Sequence, residues 1–131
     1  MPTSDFAALG AAQYVSLTTF RKSGEGVATA VWIAADGDDL VAVTIENSGK
    51  VKRARNNARV TLAQCGMTGK VKAGRVEVEG TAEVIADEDA MRPAIDALRA
   101  KYGWQFRMSF GTASKPKSPE ASRVILRISP A

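Results

Sequence analysis

The run Ser48-Gly49-Lys50-Val51-Lys52-Arg53-Ala54-Arg55-Asn56-Asn57 places four cations within six residues, between two apolar stretches. Cations at that density suit a polyanion, a phosphate above all, held against the end of a sheet. At helical spacing Lys52 and Arg55 share a face, and Lys50 lies about one turn before Arg53. Ser48, Gly49 and the backbone N–H groups of a helix opening here would add neutral donors and a favourable dipole. A solvated connecting helix carries the same charges with no ligand at all, so the surroundings must decide.

Other chemistries are poorly served. The chain has no histidine, which removes Ser-His-Asp and Cys-His catalysis, His-ligated zinc and axial-His haem. Glu77, Glu79 and Glu83 lie along one strand face and Asp36, Asp38 and Asp39 in a turn, so no two carboxylates are set to face each other across a cleft. Asp36-Gly37-Asp38-Asp39 opens like a calcium loop but lacks the closing glutamate and flanking helices. Cys65, the single cysteine, excludes an internal disulfide and suits a reducing, cytoplasmic setting, and it reads as a small core residue. Trp32, amid Ala28, Ala30 and Ala34, either fills a gap in the core or walls a pocket for a flat ligand. Thr18, Thr19 and Thr29 on neighbouring strands could line a polar groove. No acid, base or metal set emerges, so an enzyme built this way needs a cofactor to carry its chemistry.

The net charge of +4 favours anionic partners. Nucleic acid is not expected, because no aromatic residue lies within 48–62 to stack on bases. No apolar run approaches the roughly 18–20 residues of a membrane span. The N-terminus shows no basic flank ahead of an apolar segment, so no leader is expected.

The elements that must position these residues read as one domain over 1–131. A short helix capped by Ser4 or Asp5 is expected over 3–13. Alternating runs predict strands over 14–20, 27–35, 40–45, 59–65, 75–86 and 123–129, with Val15, Leu17 and Thr19 on one face of the first. Arg21–Gly26 and Asp36–Asp39 read as turns, and Gly80 as a bend or bulge. A helix begins after Asp87, with Met91, Ile95, Leu98 and Tyr102 as its apolar stripe, Pro93 kinking it or delaying its start, and Gly103 ending it. The stretches 66–74 and 109–122 read as loops, the second mobile. Six strands with one late helix predict a mainly β, six-stranded antiparallel barrel with peripheral helices.

Tyr14-Val15-Ser16-Leu17-Thr18-Thr19-Phe20-Arg21-Lys22, Val27-Ala28-Thr29-Ala30-Val31-Trp32, Ser48-Gly49-Lys50-Val51-Lys52-Arg53 and Arg59-Val60-Thr61-Leu62, in that order, resemble the pyridoxamine 5′-phosphate oxidase-like split β-barrel superfamily. Within it the chain is similar to the F420-dependent flavin/deazaflavin oxidoreductases, and Lys101-Tyr102-Gly103-Trp104 agrees. The resemblance runs from about residue 8 to 129. It implies a homodimer with the cofactor in a groove between subunits and hydride transfer from F420 to an electron-poor small molecule. FMN is the alternative cofactor, and binding without turnover the alternative role. Carried over by position, Ser48, Lys50, Lys52 and Arg55 would grip the cofactor phosphate. Thr29, Val31 and Trp32 would flank the ring, with Thr18 and Thr19 as further candidates. Ala58 replaces the proline that many relatives carry before the strand-four arginine.

Overall fold

The computed structural model describes residues 6–45, 49–66, 70–71, 77–103 and 123–130. Its order is a short helical turn over 6–11, β1 (Tyr14–Phe20), β2 (Gly26–Val31), β3 (Ile33–Asp36), β4 (Asp39–Ile45), α1 (Gly49–Asn56), β5 (Arg59–Cys65), β6 (Val78–Ile85), α2 (Glu88–Tyr102) and β7 (Arg123–Pro130). The expected caps at Ser4 and Asp5 and the 109–122 loop lie outside the described residues.

All pairings are antiparallel, and the seven strands form one sheet in the order β2-β1-β5-β6-β7-β4-β3. The two edge strands are neighbours in sequence, separated only by Trp32. One residue of separation limits the gap between Val31 and Ile33 to about 7 Å. The sheet must therefore curl until its edges meet, which makes it a split barrel. The single strand expected over 27–35 is thus two: it pairs with β1 before Trp32 and with β4 after it. Alternation alone carries no sign of this change of partner.

Alternation does fix the faces. Val15 and Leu17 on β1, Val60 and Leu62 on β5, Ala82 on β6, Leu126 and Ile128 on β7, Leu40 and Ala42 on β4, and Ile33 on β3 fill the interior. Ala54 from α1 joins them. A second cluster lies on the outer face, where Ala94, Leu98 and Tyr102 of α2 cover Ala34, Val41, Val43 and Ile125. Strands β4 and β7 are therefore buried on both faces, which explains their near-continuous apolar sequences.

Helix α2 starts where expected. Asp87 Oδ2 accepts from Ala90 N–H at 2.9 Å, and Glu88 and Asp89 occupy the first turn. The helix runs through Pro93 from Glu88 onward, so the proline does not delay its start. Gly103, at φ 59°, ends it by donating to Arg99 O at 2.8 Å. Arg127, half-buried, bridges Asp36 and Asp39, with its Nη1 3.1 Å from Asp39 Oδ2, and ties β7 to the β3–β4 turn. Both carboxylates raise the guanidinium's affinity for its proton, that of Asp36 foremost. Among the described residues no helix is long and apolar enough to cross a membrane.

Gly80 is not a bulge: it pairs in regular register with Val60 on one side and Pro130 on the other. Its role is close approach, since a Cβ there would lie 2.7 Å from Ile128 Cγ2 and 3.0 Å from Ser129 O. Gly80→Ala should overpack this point and destabilise the fold by about 1–3 kcal/mol, read as a lower urea midpoint at unchanged m-value.

Candidate functional site

Helix α1 is eight residues long, and its rotation sorts the four cations into two pairs. At 100° per residue, Lys50 and Arg53 lie about 60° apart, while Lys52 and Arg55 form a second pair on roughly the opposite side. Val51 and Ala54 are the buried face. Lys50 and Arg53 flank that face and are half-buried, whereas Lys52 and Arg55 are exposed.

Arg53 turns back along the helix. Its Nε donates to Thr19 Oγ1 at 2.7 Å, and a Cβ on Gly49 would meet its Nη1 at 2.7 Å. The guanidinium thus lies over the first residue of the helix, against the positive end of the dipole, with no acidic side chain in that first turn. Lys50 has no carboxylate facing it among the described residues. Burial and then the charge of Arg53 hold its ammonium below the usual lysine range. Burial likewise lowers Arg53, with a further push from Arg21, the residue that follows β1. Arg21 also pairs with Glu25 at 3.1 Å on the exposed turn. Arg53 therefore has a like charge on either side, Lys50 and the Glu25-paired Arg21, and an anion placed there would relieve it.

The other sequence-selected residues divide between the faces of the sheet. Thr19, Thr29 and Val31 face inward with Leu17 and Val15, while Thr18 faces outward beside Ala28 and Thr61. Thr19 is fully buried and already serves Arg53. Thr29 Oγ1 is buried with no hydrogen-bond partner, the one such side-chain atom among the described residues. Trp32 is half-buried and stacks on Tyr102, centroids 4.5 Å apart and planes 9° apart, at the margin of the outer cluster. Ser48 and the Trp104–Arg107 stretch lie outside the described residues.

Arg53 thus lies beside both Lys50 and Arg21, while Lys52 and Arg55 are exposed on the other side of α1. Helical rotation contained the signal for Arg53. Arg21 is brought in by β1 ending beside α1, which no spacing in the sequence reveals. Cys65 is half-buried rather than in the core, and what burial it has pushes its thiol up, away from a nucleophilic thiolate. Among the described residues no three His, Cys, Asp or Glu side chains gather to hold a metal. A cavity of about 460 Å³ between the 6–11 turn and the β3–β4 turn is lined by Phe6, Leu40, Asp39 and Pro130, and by none of the basic residues.

The sequence profile of the pyridoxamine 5′-phosphate oxidase family matches residues 5–131. No curated protein matches the chain. Among solved structures, an F420 reductase superposes with a TM-score of 0.64 at 23% identity, covering 96% of this chain and 93% of that one. An FMN-binding protein related to pyridoxamine 5′-phosphate oxidase, from Nostoc punctiforme, gives 0.62 at 16% identity, with 98% and 77% covered. A heme storage protein from Vibrio cholerae gives 0.69 at 10% identity, with 98% and 87% covered. At these identities the likeness shows the fold.

The depressed lysine has a consequence for stability. A base whose folded pKa lies below its unfolded value makes the unfolded state bind more protons, so stability rises with pH between the two values. Lys50→Met should therefore be at least as stable as the parent at neutral pH, by less than about 1 kcal/mol because the head group is half-exposed and screened. Its advantage should shrink as the pH climbs toward the ordinary lysine range. Urea unfolding at neutral pH and at alkaline pH checks both points.

Proposed function

This chain belongs to the pyridoxamine 5′-phosphate oxidase family, and from that membership we propose that it is an F420-dependent oxidoreductase acting on an electron-poor small molecule. The observation that carries the reading is the half-buried Lys50 ammonium, uncompensated by any described carboxylate and set against a second cation, Arg53. Two features fit a phosphate-bearing ring cofactor. An anion would relieve the like charges of Lys50, Arg53 and Arg21, and the Thr29 hydroxyl has no hydrogen-bond partner among the described residues.

In this reading Lys50 and Arg53 hold the cofactor phosphate, with Ser48 and the opening N–H groups of α1 as neutral donors and Arg21 at the rim. Lys52 and Arg55, on the outward face of α1, meet the anionic glutamate tail of F420. Thr29, Val31 and Trp32 lie along the ring, with Thr18 and Thr19 beyond them. When bound, reduced F420 supplies a hydride from C5 of its deazaflavin. The chain's own share is to fix the phosphate end, align the ring with the acceptor and exclude water. No side chain is assigned as acid or base, and the proton that completes reduction comes from solvent. The working unit is a homodimer in the cytoplasm, with the cofactor groove between its subunits.

FMN is the second reading, favoured by the FMN-binding neighbour, since the same grip suits its phosphate. Side-by-side titration of the purified protein with F420 and FMN separates the two. F420 should saturate at micromolar concentration or below with quenched fluorescence, and Lys50→Ala should weaken it by about 10- to 100-fold, as for loss of a charge-assisted contact. Unchanged affinity in that variant would remove the phosphate assignment. A yellow protein indifferent to F420 would select FMN, and tight binding without acceptor reduction would leave a carrier.

A further inference from the structure

We propose that Lys101 and Tyr102, the last two residues of α2, are positioning residues that fix the break between β2 and β3 and so set Thr29, Val31 and Trp32 along the cofactor ring. The inference rests on the reading above of those three residues, and it names what holds them in place.

At Trp32 the chain leaves one edge of the sheet and joins the other, so the strand ladder is interrupted there. Ile33, the first residue of the edge strand β3, has its backbone groups taken up by side chains of α2 instead. Tyr102 Oη accepts from Ile33 N–H at 2.9 Å, and its own proton lies between Gln13 O at 2.9 Å and Ile33 O at 3.0 Å. Lys101 Nζ donates to Gly10 O at 2.8 Å, Ala12 O at 2.5 Å and Ile33 O at 2.5 Å, which uses all three of its protons. The Tyr102 ring stacks on Trp32. Two adjacent side chains therefore hold both backbone groups of residue 33 and the ring of residue 32, and tie them to the 9–13 segment.

A tie serving stability alone could be apolar. A partly buried ammonium held by carbonyls, with no carboxylate among its partners in the described residues, is a costly fastening, and burial indeed lowers its proton affinity. What the ammonium adds is direction, since three carbonyls converge on one point. Direction matters here because β2 is an edge strand, secured on one side by β1 alone. A one-residue slip at the break would send Thr29 and Val31 to the outer face and exchange them for Ala28 and Ala30.

Tyr102→Phe keeps the ring and removes the hydroxyl, while Lys101→Met keeps the length and removes the charge. Each is to be titrated with F420 and FMN, and separately with inorganic phosphate followed through the amide shifts of residues 49–53. Near-UV circular dichroism, read only in the long-wavelength tryptophan bands where tyrosine does not absorb, reports the Trp32–Tyr102 stack. The expected result is cofactor affinity lower by about 10-fold or more, phosphate affinity within about 2-fold of the parent, and an altered near-UV spectrum in a folded protein. Parent-like cofactor affinity in the folded variants overturns the proposal. So does a parallel loss of phosphate binding, which marks a merely structural role. If Lys101→Met does not fold, Tyr102→Phe decides alone. If the parent binds neither cofactor, the functional reading fails, and the near-UV spectrum of Tyr102→Phe then decides the positioning claim: an unchanged stack overturns it.

Discussion

Closure is the constraint on which the rest of this structure depends. A curled sheet leaves two rows of unpaired backbone groups unless its edges are brought together, and here the edges are consecutive pieces of one chain. That arrangement is economical in chain length but interrupts the strand ladder at Trp32. The fold answers with the end of α2, whose last two residues supply by side chain what the ladder cannot supply there. The interior cluster, the outer cluster and the 9–13 segment all meet around this point, through Ile33, Tyr102 and Lys101 respectively.

Charge is handled in two contrasting ways. Where the fold requires it, charge is matched: Arg127 sits between Asp36 and Asp39, and the outward Arg59 is shared between Glu79 and the face of Phe20. At Lys50 and Arg53 no such carboxylate is found among the described residues. Arg53 lies against the wrong end of the helix dipole, Lys50 beside it, and the first turn carries no acid. Among the described residues, Lys50 and Arg53 thus lie side by side with no acid in the first turn, an arrangement that an anion would relieve.

Much of this was legible in the residues. Period-two alternation gave β1 and its faces, a capping aspartate gave the start of α2, and a glycine with positive φ gave its end. The split of the second strand was not legible, because Val27 to Ala35 alternates without interruption across the break; only pairing partners distant in sequence reveal it. Gly80 read as an irregularity, whereas its cause is the nearness of Ile128 and Phe6, a tertiary fact. In the site, helical spacing marked a basic helix and paired Lys50 with Arg53 and Lys52 with Arg55, while the family resemblance added Lys52 and Arg55 to the expected phosphate grip. What spacing could not show is that Lys50 and Arg53 are half-buried and Lys52 and Arg55 exposed, because that depends on which strands pack beside the helix. The family's ordered motifs carried the fold further than any single pattern did.

Helix α1 has two obligations that cannot be separated. Its Ala54 is part of the barrel interior and its Val51 is fully buried, while the adjoining side carries Lys50 and Arg53. In many proteins a ligand is admitted by a segment that opens locally at small free-energy cost. Here any swing of α1 large enough to part Arg53 from Thr19 would also uncork the core. The proposed ligand would therefore enter by side-chain motion over a stationary backbone, with the helix a fixed berth rather than a gate.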